Sequence, residues 1–385
     1  MKQSENAKVD VTVASTSPKK DKASIIKEYI PLFSIISAGI FLFCVIVHIT
    51  AVKSPVFADF FNIHISSFFR RMLAYISNIF VFSLAEMIIY TLPFFAVFLI
   101  CIIAKRNVDR RKSIRIISAL LGVIMLLYSL FVLTFATGYR GSSLGDKLSL
   151  EEKAVSATEL YNTSRWLSGE LAALCGKVEY TESGESVMPY SFSELNDKLI
   201  SAYDRAKDKY DFIGNFYGRV KEVSSGEYMS YLHILGVYSY FTGEANVNTT
   251  PPDYTVPYTM AHEMAHQRGI AKEDEANFMA FLVCLESDDI YIRYSAYLEM
   301  FEYVQNSLYA ADAELFRLSC DYPAEVYNDR VAYYNYYRKY ADSTIGEVSS
   351  RVNDAYLKSQ GTKGRVSYGL VTDMTVAYYL KYIEK

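Results

Sequence analysis

His262-Glu263-Met264-Ala265-His266-Gln267-Arg268-Gly269-Ile270-Ala271-Lys272-Glu273-Asp274-Glu275-Ala276-Asn277 is the stretch on which the reading of this 385-residue chain turns. His262 and His266 stand at i and i+4, so on a helix both imidazoles leave one face, close enough to hold one Zn²⁺ at ~2.0–2.1 Å. Glu263 lies beside that face, where it can act as general base toward a water on the metal. The local signals favour a helix. Pro257 has the φ of a first helical turn, Met260, Ala261 and Ala265 allow close packing, and Gly269 supplies a stop. Only five histidines occur in the chain, so two of them four apart around a glutamate is a poor match to coincidence.

A catalytic zinc needs a third protein ligand and an open fourth position. The second helix expected after Gly269 offers Glu273 and Glu275. Glu273-x-x-Ala276-Asn277 is similar to the Glu-x-x-Ala-Asp/Asn element of zinc peptidases whose third ligand is glutamate, the gluzincins. In that arrangement the alanine lets two helices approach and Asn277 supports a ligating histidine. Glu275 stands about 160° around the helix from Asn277 and would lose that support, so Glu273 is the favoured ligand. The spacing departs from the type. Glu273 follows His266 by seven positions, shorter than gluzincins usually leave and one residue longer than the metzincin H-x-x-G-x-x-H layout.

Outward from this core the chain divides into two unlike parts. Uncharged runs at about 30–52 and 116–136, and a run at 79–104 whose single charge is Glu86, each reach the ~20 apolar residues that cross a bilayer as a helix. Residues 1–136 carry a net charge of +8 and residues 137–385 a net −12. An acidic outer part argues against nucleic acid as a partner. Basic residues cluster before the first run and between the second and third. That bias predicts a cytoplasmic N-terminus and an extracytoplasmic C-terminal domain. The expected organisation is a disordered cytoplasmic tail (1–28), a membrane domain (29–136) and an outer domain (137–385). The run 30–52 is too long for a signal-peptide core and no cleavage site follows it, so it reads as an uncleaved anchor.

Between the first two spans the aromatic segment 56–80 reads either as an interfacial helix or as an early start of the second span. Glu86 is costly in lipid and calls for a hydrogen bond, to a neighbouring span by preference. Ser149-Leu150-Glu151-Glu152 reads as a capping box opening a helix to about Cys175, and Ser191-Phe192-Ser193-Glu194 as a second, with a helix to about Tyr210. Residues 224–256, with three glycines and Pro251-Pro252, suggest short strands, and helical periodicity dominates beyond. Cys175, Cys284 and Cys320 leave an odd outer count with no C-x-x-C, compatible with one disulfide or with three thiols. His233 reads as a structural histidine.

Taken whole, the chain resembles an uncharacterised bacterial family of multi-pass membrane proteins catalogued as a domain of unknown function. The resemblance rests on Phe82-Ser83-Leu84, Gly138-Tyr139-Arg140, residues 241–248 and 262–281, and Ser367-Tyr368-Gly369. It implies a mainly α fold: three N-terminal transmembrane helices, then an α-helical, gluzincin-type outer domain with little β structure. Gluzincins place a substrate-pairing edge strand just upstream of the zinc helix, which would bring Glu244, Asn246 and Asn248 to the cleft. Tyr368 could donate to an oxyanion. The expectation is a membrane-anchored zinc metallopeptidase in the bilayer, cutting peptide or protein substrates, with Zn²⁺ on His262, His266 and Glu273 and with Glu263 as base. Its rivals are a sensor or scaffold with a structural zinc, and a zinc hydrolase of cell-wall amides.

Overall fold

The computed structural model describes residues 29–104, 109–151, 153–214, 216–362 and 368–384, so the tail 1–28 lies outside the described residues. Three helices are long and apolar enough to cross a membrane: α1 (Leu32–Lys53), α2 (Leu84–Ala104) and α3 (Arg110–Thr134). The second starts later than expected, because Ser83 caps it by accepting a hydrogen bond from the Glu86 amide (3.0 Å). The third starts earlier, at a cap made by Asp109, and its first turn carries Arg110, Arg111 and Lys112. α1 and α3 pack along each other. Gly122 lies against Ser34, where a Cβ would come within 3.1 Å, and Cys44, Val47, Phe131 and Val132 form the contact further out. α2 has no helix packed along it among the described residues.

The segment between α1 and α2 is neither an early second span nor a simple loop. It forms a helical arm of three consecutive pieces, Pro55–Phe60, Phe61–Ser66 (a π-helical stretch) and Ser67–Ser77. Val56, Phe60, Phe68, Met72 and Ile76 are exposed along it, while Ala58, Ser66, Arg70 and Ala74 are buried. The buried face meets the helical domain that follows α3, so packing is continuous across residue 136.

That domain is mainly helical: α4 (Ala157–Cys175), α5 (Phe192–Lys209), α6 (Thr255–Gln267), α7 (Glu273–Leu285), α8 (Ile290–Ala311), α9 (Ala324–Arg338), α10 (Thr344–Ser359) and α11 (Tyr368–Tyr382). The Ser191–Glu194 capping box is present as expected. The first box is displaced by one repeat of the same pattern. Ser149 sits at φ +52°, which a helix does not use, and the box forms at Ser156 and Glu159 instead. The apolar stripe Leu160, Leu167, Leu171 and Leu174 begins only there. A three-stranded sheet holds β1 (Lys221–Glu222), β2 (Gly236–Ser239) and β3 (Glu244–Val247) in the order β1-β3-β2. β1 runs parallel to β3 and β2 antiparallel to it, so β2 is an edge strand. α6 lies on β2 and β3 and, with α7 and α8, forms the centre of the core. Met260, Ala261, Met264, Ala265, Phe278 and Met279 are fully buried there. Cys175 and Cys284 are buried thiols and Cys320 an exposed one.

Candidate metal site at the end of the third span

The two histidines are placed by how α6 ends. Gly269, at φ +98°, closes the helix in a Schellman turn: the Gly269 amide bonds the His266 carbonyl (2.9 Å) and the Ile270 amide the Ala265 carbonyl (3.1 Å). This turn swings the Ile270 carbonyl onto Nδ1 of His266 (2.7 Å). Only a protonated Nδ1 can donate there, so in the neutral ring it is Nε2 of His266 that carries the lone pair. Three residues later α7 begins at Glu273, which points back at α6. Its Oε2 lies 3.3 Å from Nε2 of His262 and 3.6 Å from Nε2 of His266. Ligand atoms of all three residues fall within 4.8 Å of one another. Two donors sharing one tetrahedral zinc stand roughly 3.3 Å apart, so this donor set suits the ion in chemistry, and its two His–Glu distances lie close to that spacing.

Glu275 does something else. It accepts from the Leu144 amide (3.0 Å) and the Lys272 ammonium (2.8 Å), tying the start of α7 to the chain after α3. Asn277 lies buried beside His262 without the geometry of a full hydrogen bond, since Nδ1 of His262 is buried with no partner. The three ionisable groups polarise one another. Burial alone would lower the pKa of His266, but the Glu273 carboxylate outweighs it and pushes it up to about 9. Burial works against the Glu273 charge as well, yet the two histidines hold this carboxyl well below the usual range. His262 is pushed down by burial and by His266.

Glu263 is buried on the same helix, and its Oε2 has no hydrogen-bond partner. Burial pushes its carboxyl up to about 8 against the pull of His266, with a smaller push from the charge of Glu273. Gly236 of β2 makes room for it: a Cβ at that position would sit 2.5 Å from Oε1 of Glu263. The ladder between β2 and β3 runs through alternate residues, with the Asn248 amide bonding the Leu235 carbonyl (2.8 Å). By that alternation the backbone amides and carbonyls of Gly236 and Tyr238 point away from β3, along the free edge.

The remaining expected site residues lie elsewhere. Glu244 is fully buried and accepts from the Leu84 (3.0 Å) and Ala85 (2.8 Å) amides, capping the second span instead of lining a cleft. Asn246 is buried inside the sheet, donating to the Val237 carbonyl (3.2 Å), and Asn248 is buried between Ser230 and Thr250. The side chain of Tyr368 lies outside the described residues. Glu86 bonds no neighbouring span: it accepts from the Ser224 and Ser225 amides (3.1 and 2.8 Å) at the base of the sheet. His233 bonds the Tyr340 carbonyl (3.0 Å), a structural role.

Several residues around the site were not expected there from the sequence. The Arg70 guanidinium, buried on the arm with no carboxylate partner among the described residues, bonds the carbonyls of Thr134 (2.7 Å), Asn62 (3.0 Å) and Arg268 (3.4 Å). The Asn62 amide bonds the Gly269 carbonyl (3.0 Å), so the arm grips the end of α6. Gly138 packs against the same turn, where a Cβ would lie 2.8 Å from the Gly269 carbonyl. The Phe135 ring stands edge-on to His266 at 5.7 Å, and the hydroxyls of Tyr139 and Tyr356 meet at 3.3 Å. A cavity of about 500 Å³, lined in part by Tyr139, Lys272, Asp274 and Glu275, adjoins the start of α7.

The pattern of a protein family described only as of unknown function, DUF3810, matches residues 61–376. The chain belongs to that family. The match begins inside the arm and ends inside α11, so it takes in the arm from Phe61 on, two of the three apolar helices and every residue of the His262–Glu273 cluster. No curated protein and no solved structure matches the chain.

Proposed function

We propose that this DUF3810 protein is a membrane-anchored zinc hydrolase that cuts peptide bonds, with the ion held by His262, His266 and Glu273. The observation that carries the proposal is Glu263. It is a buried carboxylate beside three converging ligands, and one of its oxygens is committed to no partner. A structural zinc has no use for such a group. Among the described residues no fourth His, Cys, Asp or Glu joins the cluster, which leaves a coordination position for water or substrate. Bound zinc would lower the pKa of a water toward ~7 and polarise the carbonyl of a bound amide. Glu263 takes the proton of the attacking water and passes it to the leaving amine. The Nδ1 bond of His266 to Ile270 orients the ring so that Nε2 would be the atom offered to the ion. The free edge of β2 supports a peptide substrate, because the outward amides and carbonyls of Gly236 and Tyr238 can pair with an extended chain. In this reading the helical domain faces the extracytoplasmic side, following the basic clusters of the sequence.

The test is Glu263→Gln in the full-length protein, assayed on a peptide library by mass spectrometry. Folding and zinc content stay as in wild type, and chelator-sensitive cleavage falls by a factor on the order of 10²–10⁴, the range for losing a general base. Equal cleavage by the two proteins would remove Glu263 from the chemistry.

A further inference from the structure

The candidate site lies at the rim of the bilayer, and this position bears on what it cuts. From Arg115, its last basic residue, to Thr134, α3 rises roughly 29 Å at ~1.5 Å per residue, the thickness of a hydrocarbon core. Thr134 therefore marks the hydrocarbon edge on the side away from Arg115. The next residue, Phe135, is the one whose ring stands against His266 (5.7 Å). The edge strand is fastened to the same level. Tyr238 packs on Phe135 (5.3 Å), Tyr240 packs on Phe131 inside the span (5.2 Å), and the Thr134 hydroxyl donates to the Tyr240 carbonyl (3.3 Å). The arm adds a second marker of depth. Its exposed side is a row of Val56, Phe60, Phe68, Met72 and Ile76, while its polar Asn62 and Arg70 turn inward to α6, the arrangement of a helix lying in the interfacial plane.

From this geometry we infer that the substrate is a polypeptide anchored in the same bilayer, cut in the segment that directly leaves its membrane-spanning helix. The inference rests on the hydrolase reading above and narrows it to a substrate class. An extended chain paired with β2 runs from Tyr240, at the hydrocarbon edge, to Gly236, abreast of Glu263. Those four residue-to-residue steps span roughly 13 Å at ~3.3 Å each. The scissile bond thus lies about four residues outside the hydrocarbon, a distance that a juxtamembrane segment reaches without unwinding its helix. A freely soluble peptide has to be brought to the membrane surface first, whereas an anchored one is already confined there at high effective concentration.

The test uses the full-length protein in phospholipid vesicles with two peptide libraries. In one, a randomised 20-residue segment follows a Leu/Ala membrane-spanning helix; in the other, the same segments are free in solution. Cleavage sites are mapped by mass spectrometry, with chelator and Glu263→Gln as controls. The expected result is chelator-sensitive cleavage of the anchored library at least about tenfold faster than of the free one, with cuts within about six residues of the helix end. Equal rates on both libraries, or cuts scattered along the anchored segment, would overturn the inference and leave a zinc peptidase of soluble substrates. Chelator-sensitive cleavage of neither library would overturn the hydrolase reading itself and the inference with it.

Discussion

The two flanks of the His262–Glu273 cluster are built differently. On one flank, α6, α7, α8 and the arm are packed tightly, and even the polar groups at the end of α6 are held from outside by Arg70 and Asn62. On the other flank runs α10, attached mainly at its ends. Ser343 caps it, Gly346 abuts the Tyr231 carbonyl, Leu357 is buried, and the Tyr356 hydroxyl meets Tyr139. Between those ends Ile345, Val348 and Val352 form an exposed apolar stripe. The closed flank surrounds His262, His266 and Glu273 with packed helices and hydrogen-bonded backbone, the support that the proposed metal site demands. The open flank carries few interactions that an incoming chain would have to displace, so order is concentrated where the ligands need it.

This contrast sets the expected sizes of mutational effects. Arg70→Met should be the most damaging to stability. It leaves the Arg268, Thr134 and Asn62 carbonyls buried without their donor, at a cost of roughly 3 kcal/mol or more, read as a lowered unfolding temperature in detergent. A loss under about 1 kcal/mol would mean that the arm merely rests on α6.

A smaller effect is expected from Glu299, also on the closed flank, near Tyr254 and Tyr258 at the start of α6. Burial first, and then the neighbouring Glu302, push its carboxyl from 4.5 up to about 8. The folded protein therefore holds this proton more tightly than the unfolded chain does. Its stabilising share is complete below about pH 4.5 and is lost as the pH rises to about 8. Glu299→Gln should flatten that slope in denaturation series at several pH values, and an unchanged slope would place this proton elsewhere.

The smallest effect belongs to the open flank. Val352→Ser should change stability by no more than about 0.5 kcal/mol, because the residue is 64% exposed. A larger loss would show that something covers the stripe.

The sequence was most legible where a short-range pattern has one physical solution. The i, i+4 histidines, the glycine stop and the acid seven residues on are all local, and the structure brings His262, His266 and Glu273 together. The three apolar helices follow from length and hydropathy alone. Where the pattern recurs, as with two Ser-x-x-Glu boxes seven residues apart, only the tertiary register of Leu160 and Leu167 chooses between them. Glu244 was unreadable for a different reason. Its partners are the Leu84 and Ala85 amides 160 and 159 residues away, and no local rule tells a cleft carboxylate from a helix cap supplied by another element. Arg70 is the extreme case: a buried cation satisfied by carbonyls leaves no complementary charge in the sequence to find.

The account turns on the identity of the metal ligands, and zinc content per purified full-length chain tests this most directly. Wild type, Glu263→Gln and Glu275→Gln should each carry about one zinc, the occupancy of a single closed-shell site, while His262→Ala, His266→Ala and Glu273→Gln lose it. Zinc retained in Glu273→Gln and lost in Glu275→Gln would contradict the ligand set and, with it, the site on which the proposed chemistry depends.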